Sequence, residues 1–333
     1  MKDAIPKLDR DAVPDEFVIL RWCSSLVRKS ASGLDLELAH FTVKEFLLGI
    51  NCDSEFATYR VDVEESGLEL GKICLTYLTL QDFNSGVSWT REAQLKRLQE
   101  YAFRSYAIKH WLFHASGHLG DPDLLSLIQK LLDPSEPGTF TTWTHDHQYF
   151  FGEKVQGVYA AVATHTPLHY ASAFALPETC KWLLDYGCKV DHMSWFGTPL
   201  HHALSGPTSL VRYDGGRKLY EVSERQKERR LKVIDILLEA GADPNVKSSK
   251  GVPPLYYASQ DQDIILRLLQ RGAPKGVREG AREVARDNVE KAQLRERPNR
   301  NLELLSGESS GENDDTSGWA FLPGGIIQKD FDW

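Results

Sequence analysis

The 333-residue chain is poor in cysteine, and its cysteines are scattered. Cys23, Cys52, Cys74, Cys180 and Cys188 form no C-x-x-C pair. That excludes a zinc ribbon or finger and fits reduced thiols in a cytoplasmic or nuclear protein. No apolar run approaches the roughly 18–20 residues of a spanning helix, so no membrane segment is expected. The start, MKDAIPKLDRDAVPDE, lacks the apolar centre of a secretion signal. Excess positive charge is missing too. The formal net charge of -8 argues against nucleic acid or an anionic membrane as partner. No G-x-x-x-x-G-K-[ST] stretch occurs. The nearest text runs from Gly67 to Ile73, with three residues between its glycines rather than four. Ile73 stands where magnesium binding needs a hydroxyl, and the stretch reads as the lead into a helix. No nucleophile elbow, paired-carboxylate motif or phosphate loop stands out. No catalytic residue and no cofactor is expected, and the chain does not read as an enzyme.

Histidine is the residue that invites a search for chemistry. His110, His114 and His118 recur every four residues. On one continuous helix they would share a face, and two histidines at i and i+4 can hold zinc. Trp111 follows His110, so the glutamate of H-E-x-x-H is missing, and Gly117 is placed to end the helix before His118. His145 and His147 sit in the aromatic-rich connector WTHDHQYFFG. Neither set is expected to bind metal.

What the chain does have is a repeat. TPLHYAS (Thr166 to Ser172) returns as TPLHHAL (Thr198 to Leu204) and as PPLYYAS (Pro253 to Ser259). Each copy is followed by a leucine pair and a glycine: Leu183, Leu184 and Gly187; Leu237, Leu238 and Gly241; Leu268, Leu269 and Gly272. The first two prolines are 32 positions apart, a period of stacked helix pairs. Thr166 and Thr198 are placed to cap helix N-termini. Pro167, Pro199 and Pro254 suit the first turn, where no amide donor is missed. Leu168, Leu200 and Leu255 should face inward, and Ala171, Ala203 and Ala258 should allow close helix approach. The glycines can take the left-handed turn that ends a second helix. His169 and His201 are expected to hydrogen-bond within and between repeats. Between the helices of the second copy lies an insertion: Ala203 to Leu237 is 34 positions, against 12 from Ala171 to Leu183.

These residues resemble the ankyrin repeat, whose signature includes T-P-L-H-x-A followed by L-L-x-x-G-A. A second resemblance lies upstream, where FVILRWCSSLVRKSASGLDLELAHFTVKEFLLGI (Phe17 to Ile50) reads as helix, strand, turn, strand, helix. LCSSLV-like text (Cys23 to Val27) followed by LAHFTVKEFL (Leu38 to Leu47) is similar to the winged-helix segment after the NACHT module of fungal signalling proteins with ankyrin tails. Phe46, Leu47 and Ile50 are expected on one side of the last helix. That resemblance implies a nucleotide-binding NACHT domain, upstream or as a separate partner.

The expected fold is mainly α: an ankyrin-repeat solenoid preceded by a partial winged-helix unit and a helical spacer. Residues 1–60 are assigned to the winged-helix unit, 61–135 to the spacer and 136–163 to a connector. Residues 164–305 are assigned to the repeats, with the insertion at about 205–230 and a degenerate cap from Arg278. Residues 306–333 form an acidic, disordered tail whose apolar end is a docking peptide, a segment folded back on the repeats, or a plain terminus. The expected function is binding of a protein partner on the concave ankyrin face. Met193, Trp195 and Phe196 at a hairpin tip, and Tyr170, Phe174, His202 and Tyr257 on first helices, are the expected anchors. The alternative is a regulatory fragment of a NACHT-type receptor.

Overall fold

The computed structural model describes residues 7–9, 11, 13–31, 36–84, 90–151, 164–210, 224–258, 261–273, 321–322 and 326–327. The chain divides into two compact units, Met1–Phe150 and Phe151–Asp332. Among the described residues no helix is long and apolar enough to cross a membrane.

The first unit opens with α1 (Glu16–Cys23), capped by the Asp15 carboxylate, which accepts the Val18 N–H. Ser24, at φ 49°, ends the helix and starts a 3-10 turn (Ser24–Leu26). β1 (Val27–Lys29) follows that turn directly. It pairs antiparallel with β2 (Leu36–Leu38), Val27 opposite Leu38 and Lys29 opposite Leu36. α2 (Phe41–Gly49) follows, its first turn held by His40, whose Nδ1 accepts the Thr42 N–H. The order helix, strand, strand, helix matches the expectation. The packing does not: Phe46 is exposed and touches Phe56 at 6.3 Å between ring centroids, while Ile50 is buried.

α3 (Val63–Leu78) starts at Asp62, which accepts the N–H groups of Glu64 and Glu65. Gly67 and Gly71 therefore lie inside this helix rather than ahead of it. Gly71 lets α5 (Ala102–Ala115) approach: a Cβ there would stand 3.3 Å from the Ala115 nitrogen. α4 (Arg91–Glu100), α6 (Pro122–Leu131) and α7 (Pro137–Phe151) complete the unit. Leu75, Leu78, Trp111, Leu124, Ile128 and Trp143 are among its buried core.

Residues 137–151 of the expected connector are thus a helix, and 152–163 lie outside the described residues. α7 also buries an acid. The Asp146 carboxylate accepts from Arg97 Nη2 at 2.6 Å, Arg104 Nε at 2.6 Å and Gln94 Nε2 at 3.2 Å. Burial pushes this carboxyl upward, but the His145 ring and the two guanidinium groups outweigh it and hold the group well below the usual carboxylate range. Arg104, itself buried, lays its guanidinium over the Phe83 ring at 3.9 Å.

Among its described residues the second unit carries three helix pairs: α8 (Pro167–Ala173) with α9 (Pro177–Asp185), α10 (Pro199–Ser205) with α11 (Glu224–Glu239), and α12 (Pro254–Tyr257) with α13 (Gln262–Gln270). α10 packs against both α8 and α12, while α11 packs against α9 and α13, so the pairs stack in two rows. Leu168, Leu200, Ala171, Ala203 and Ala258 are buried, as the motif requires. Gly187, Gly241 and Gly272 take φ of 101°, 91° and 96°, the left-handed turn expected after each second helix. The charged run of the insertion enters α11 at Glu224; residues 211–223 lie outside the described residues. So does the expected cap from Arg278. Of the tail, only the antiparallel pair β3 (Phe321–Leu322) and β4 (Ile326–Ile327) is described.

Candidate binding face of the repeats

The repeat motif builds its own frame first. The Thr166 N–H donates to His169 Nδ1 at 2.9 Å, and the Thr166 hydroxyl lies 2.8 Å from the same nitrogen. With Nδ1 accepting, the remaining proton sits on Nε2, which donates to the His192 carbonyl at 3.0 Å. Thr198 and His201 repeat the arrangement at 3.2 and 2.9 Å, and His201 Nε2 donates to the Val252 carbonyl at 3.2 Å. Each motif histidine thereby ties its helix start to the loop ahead of the next pair. Burial keeps both rings neutral, with pKa lowered to about 3 for His169 and about 4 for His201. They are structural ties, as expected.

Those ties hold the 189–198 hairpin in place. The Trp195 N–H donates to Thr164 Oγ1 at 2.9 Å, and Ser194 Oγ lies 2.9 Å from His202 Nε2. Within the hairpin, Ser194 accepts from the Phe196 and Gly197 N–H groups. Met193 precedes the Ser194–Gly197 turn and is 42% exposed. Trp195 and Tyr257 are half-buried, and the Tyr257 hydroxyl is 3.3 Å from Ser248 Oγ.

The other four expected anchors are corrected by their burial. Tyr170 is enclosed against His165 and Phe174, with ring centroids at 5.7 and 5.9 Å. Phe174 closes the end of α8. Phe196 turns inward between His202 at 5.2 Å and Tyr257 at 5.4 Å. His202 is buried with its two nitrogens against Ser194 and Ser209. At His202 and Tyr257 the x position of the motif meets the preceding helix pair, through His169 and His201, so bulk there fills the stack. Two exposed apolar side chains were missed: Tyr186, which packs on Trp182 at 6.3 Å, and Leu266. Tyr186 sits one residue before the helix-ending glycine, a position whose exposure follows from the turn.

The remaining histidines are accounted for by neighbours. His110 and His114 share α5 with centroids 6.4 Å apart, and His114 Nε2 bonds to the Tyr106 hydroxyl at 2.8 Å. His118 lies beyond the helix end. Burial lowers His110 to about 4 and His147 to about 3. Among the described residues no group of three or more histidine, cysteine, aspartate or glutamate side chains is arranged to hold a metal ion. Burial pushes the Cys74 and Cys180 thiols up to about 12, which leaves both unreactive. The first unit also holds a cavity of about 550 Å³, walled mainly by Leu38, Leu47, Val61, Leu70 and Phe113.

Residues 165–195 match the ankyrin-repeat family. The solved human ASB11 ankyrin repeat domain is similar to this chain at 19% identity, covering 65% of this chain and 100% of that one, with a TM-score of 0.27. No curated protein matches the chain.

Proposed function

We propose that this chain is a protein–protein interaction module whose second unit presents the 189–198 hairpin to a protein partner. The observation that carries the reading is Met193, a large apolar side chain held exposed beside the Ser194–Gly197 turn, in a segment tied down by part-buried hydrogen bonds. A rigid scaffold that exposes an apolar anchor loses little conformational entropy on binding. Trp195, two residues on, is half-buried, and Tyr186 and Leu266 are further exposed apolar side chains of the same unit. The ankyrin match at residues 165–195 supports the same reading, since stacked repeats of this kind present extended binding surfaces.

The test is affinity capture with the full chain, wild type against Met193→Glu, followed by reconstitution with the purified partner. Weaker binding by at least about 10-fold is expected for a central anchor. Equal binding by the two proteins contradicts the reading.

A second reading is favoured by a different observation. Phe17, Trp22, Phe41, Phe46 and Phe56 are all exposed on or beside the helix–hairpin–helix of the first unit. These exposed apolar side chains, of which Phe46 and Phe56 touch, suit packing against another protein element. In the NACHT-receptor reading, that element is the nucleotide-binding domain and the chain is its regulatory part. Solubility and monomer state of a Trp22→Ser, Phe46→Ser variant test it: an unchanged tendency to self-associate or to capture partners argues against a covered face.

A further inference from the structure

α2 buries none of its residues, although Leu47 and Leu48 stand on it. Its end is fixed from the side: the Val61 N–H donates to the Leu47 carbonyl at 3.0 Å. The wall that faces it is built of small side chains. Ser66 and Gly67 on α3, with Ser116 and Gly117 just after α5, leave room rather than fill it. The result is the cavity of about 550 Å³ in the first unit, with α2 and β2 on one side and α3 and α5 on the other. Small-molecule sites typically measure roughly 300–1,000 Å³. Leu38, Leu47, Val61 and Leu70 are half-buried in its walls. Leu48, Val63 and Phe113 also line it and are exposed, which puts them at its mouth.

The lining selects an uncharged occupant. Its two charged residues, Lys44 and Glu64, are both exposed and opposite in sign. The His114 ring is engaged by the Tyr106 hydroxyl at 2.8 Å, and burial lowers its pKa, so the ring is neutral near pH 7. The Ser116 hydroxyl donates to the Phe113 carbonyl at 2.8 Å. Ser66 and His118, both half-buried, complete the polar lining. No lining side chain holds a buried nitrogen or oxygen without a hydrogen-bond partner. A peptide or a charged headgroup would carry polar groups into these walls and lose its bonds to water without replacing them. An aliphatic or aromatic molecule has no such bonds to lose, and it covers apolar surface that α2 leaves open.

We propose that this cavity is a binding site for a small, uncharged, apolar molecule, held between α2 and the α3–α5 pair. The site lies in the first unit and is independent of what the repeats bind. Gly67 is the position that controls its volume. It has an ordinary helical conformation, and outside its own helix a Cβ there meets the His114 carbonyl oxygen at 3.8 Å and nothing nearer. A larger side chain at 67 therefore grows into the cavity and takes the place of the ligand. It also removes a glycine from a helix interior, so such a variant is expected to fold.

The test is fluorescence titration of the full chain with N-phenylnaphthylamine, an uncharged apolar fluorophore. Saturable one-to-one binding with a dissociation constant of about 100 µM or tighter is expected. Gly67→Ala leaves most of the volume and should bind within about 3-fold of wild type. Gly67→Phe fills the cavity; it should bind at least about 10-fold more weakly and melt no lower than wild type. Leu47→Trp fills the same space from α2 and carries the same loss of binding if Gly67→Phe does not fold. Trp22→Ser removes an exposed ring that does not line the cavity and should leave the affinity unchanged. Absence of saturable binding by the wild-type chain overturns the site, whether or not the variants fold. Wild-type affinity in a folded, filled variant overturns it as well. So does loss of binding in Trp22→Ser, which would put the probe on the exposed aromatic side chains instead.

Discussion

Phe17 and Trp22 in the first unit, and Tyr170 and Phe174 in the second, are aromatic side chains of similar size on short helices. The first pair is 76% and 72% exposed; the second is buried. The difference lies in what each local sequence supplies. Around Tyr170, the motif provides a proline start, a histidine tie, a small alanine and a second helix within a dozen residues, so a neighbour always arrives to cover the ring. Around Trp22, a three-residue strand pair and one nine-residue helix arrive, and α2 buries none of its residues. Apolar residues in a repeat signal internal packing. Apolar residues on a thin helix–hairpin–helix remain available to something else.

That contrast is open to direct attack. Leu200→Ala, in the buried row of the stack, is expected to destabilise the chain by about 2–5 kcal/mol. Trp22→Ser and Phe46→Ser should each stay within about 0.5 kcal/mol, because they remove exposed surface. Urea denaturation of the three variants measures this. A large loss for Trp22→Ser would show that its ring is covered.

Acid sharpens the contrast further. His169 and His201 have folded pKa values of about 3 and about 4, below the ordinary 6.5. Folding excludes their protons, so their contribution is complete above pH 6.5 and fades as pH falls toward the folded values. The loss is up to about 1.4 kcal/mol per pH unit for each ring. Asp146 is lowered below 3.8, so its contribution persists above that value and is lost only in stronger acid. Denaturation followed from pH 7 to pH 3 should therefore show stability lost through the buried histidines well before the Asp146 carboxylate takes up a proton. His147 and His110 of the first unit, lowered to about 3 and about 4, lose stability over the same pH range and to the same extent per ring.

Smaller effects test single devices. Thr198→Val removes the hydroxyl at the start of α10 and should destabilise by about 1 kcal/mol. Thermal unfolding measures it, and no change would show that His201 alone suffices. Ala175 adopts φ 55° in the turn after α8, a left-handed conformation that disfavours a Cβ. Ala175→Gly is expected to raise stability by roughly 0.5 kcal/mol, the relief of strain exceeding the added freedom of the unfolded chain.

The repeats were legible because their signals are local and recurrent. Threonine, proline, histidine and glycine each announce one conformational role within a few residues, and the helix starts and the left-handed turns lie where those residues put them. The helix–hairpin–helix order was legible for the same reason. The buried state of Tyr170, Phe196 and His202 was not, because it depends on which helix pair comes next. Phe196 is covered by Tyr257, 61 positions later. Asp146 was still less visible: its partners Arg104, Arg97 and Gln94 lie 42, 49 and 52 positions away, and no periodicity links them. WTHDHQYFFG therefore read as a connector, although its acid is the centre of a buried ion network.

The central claim is that binding runs through the repeat hairpin. It is tested most directly by titrating the purified partner, once captured, against three forms of the full chain: wild type, Met193→Glu, and Trp22→Ser with Phe46→Ser. The hairpin variant should bind at least about 10-fold more weakly and the N-terminal variant should match wild type. The reverse pattern, with full binding by Met193→Glu and loss in the N-terminal variant, would contradict the account.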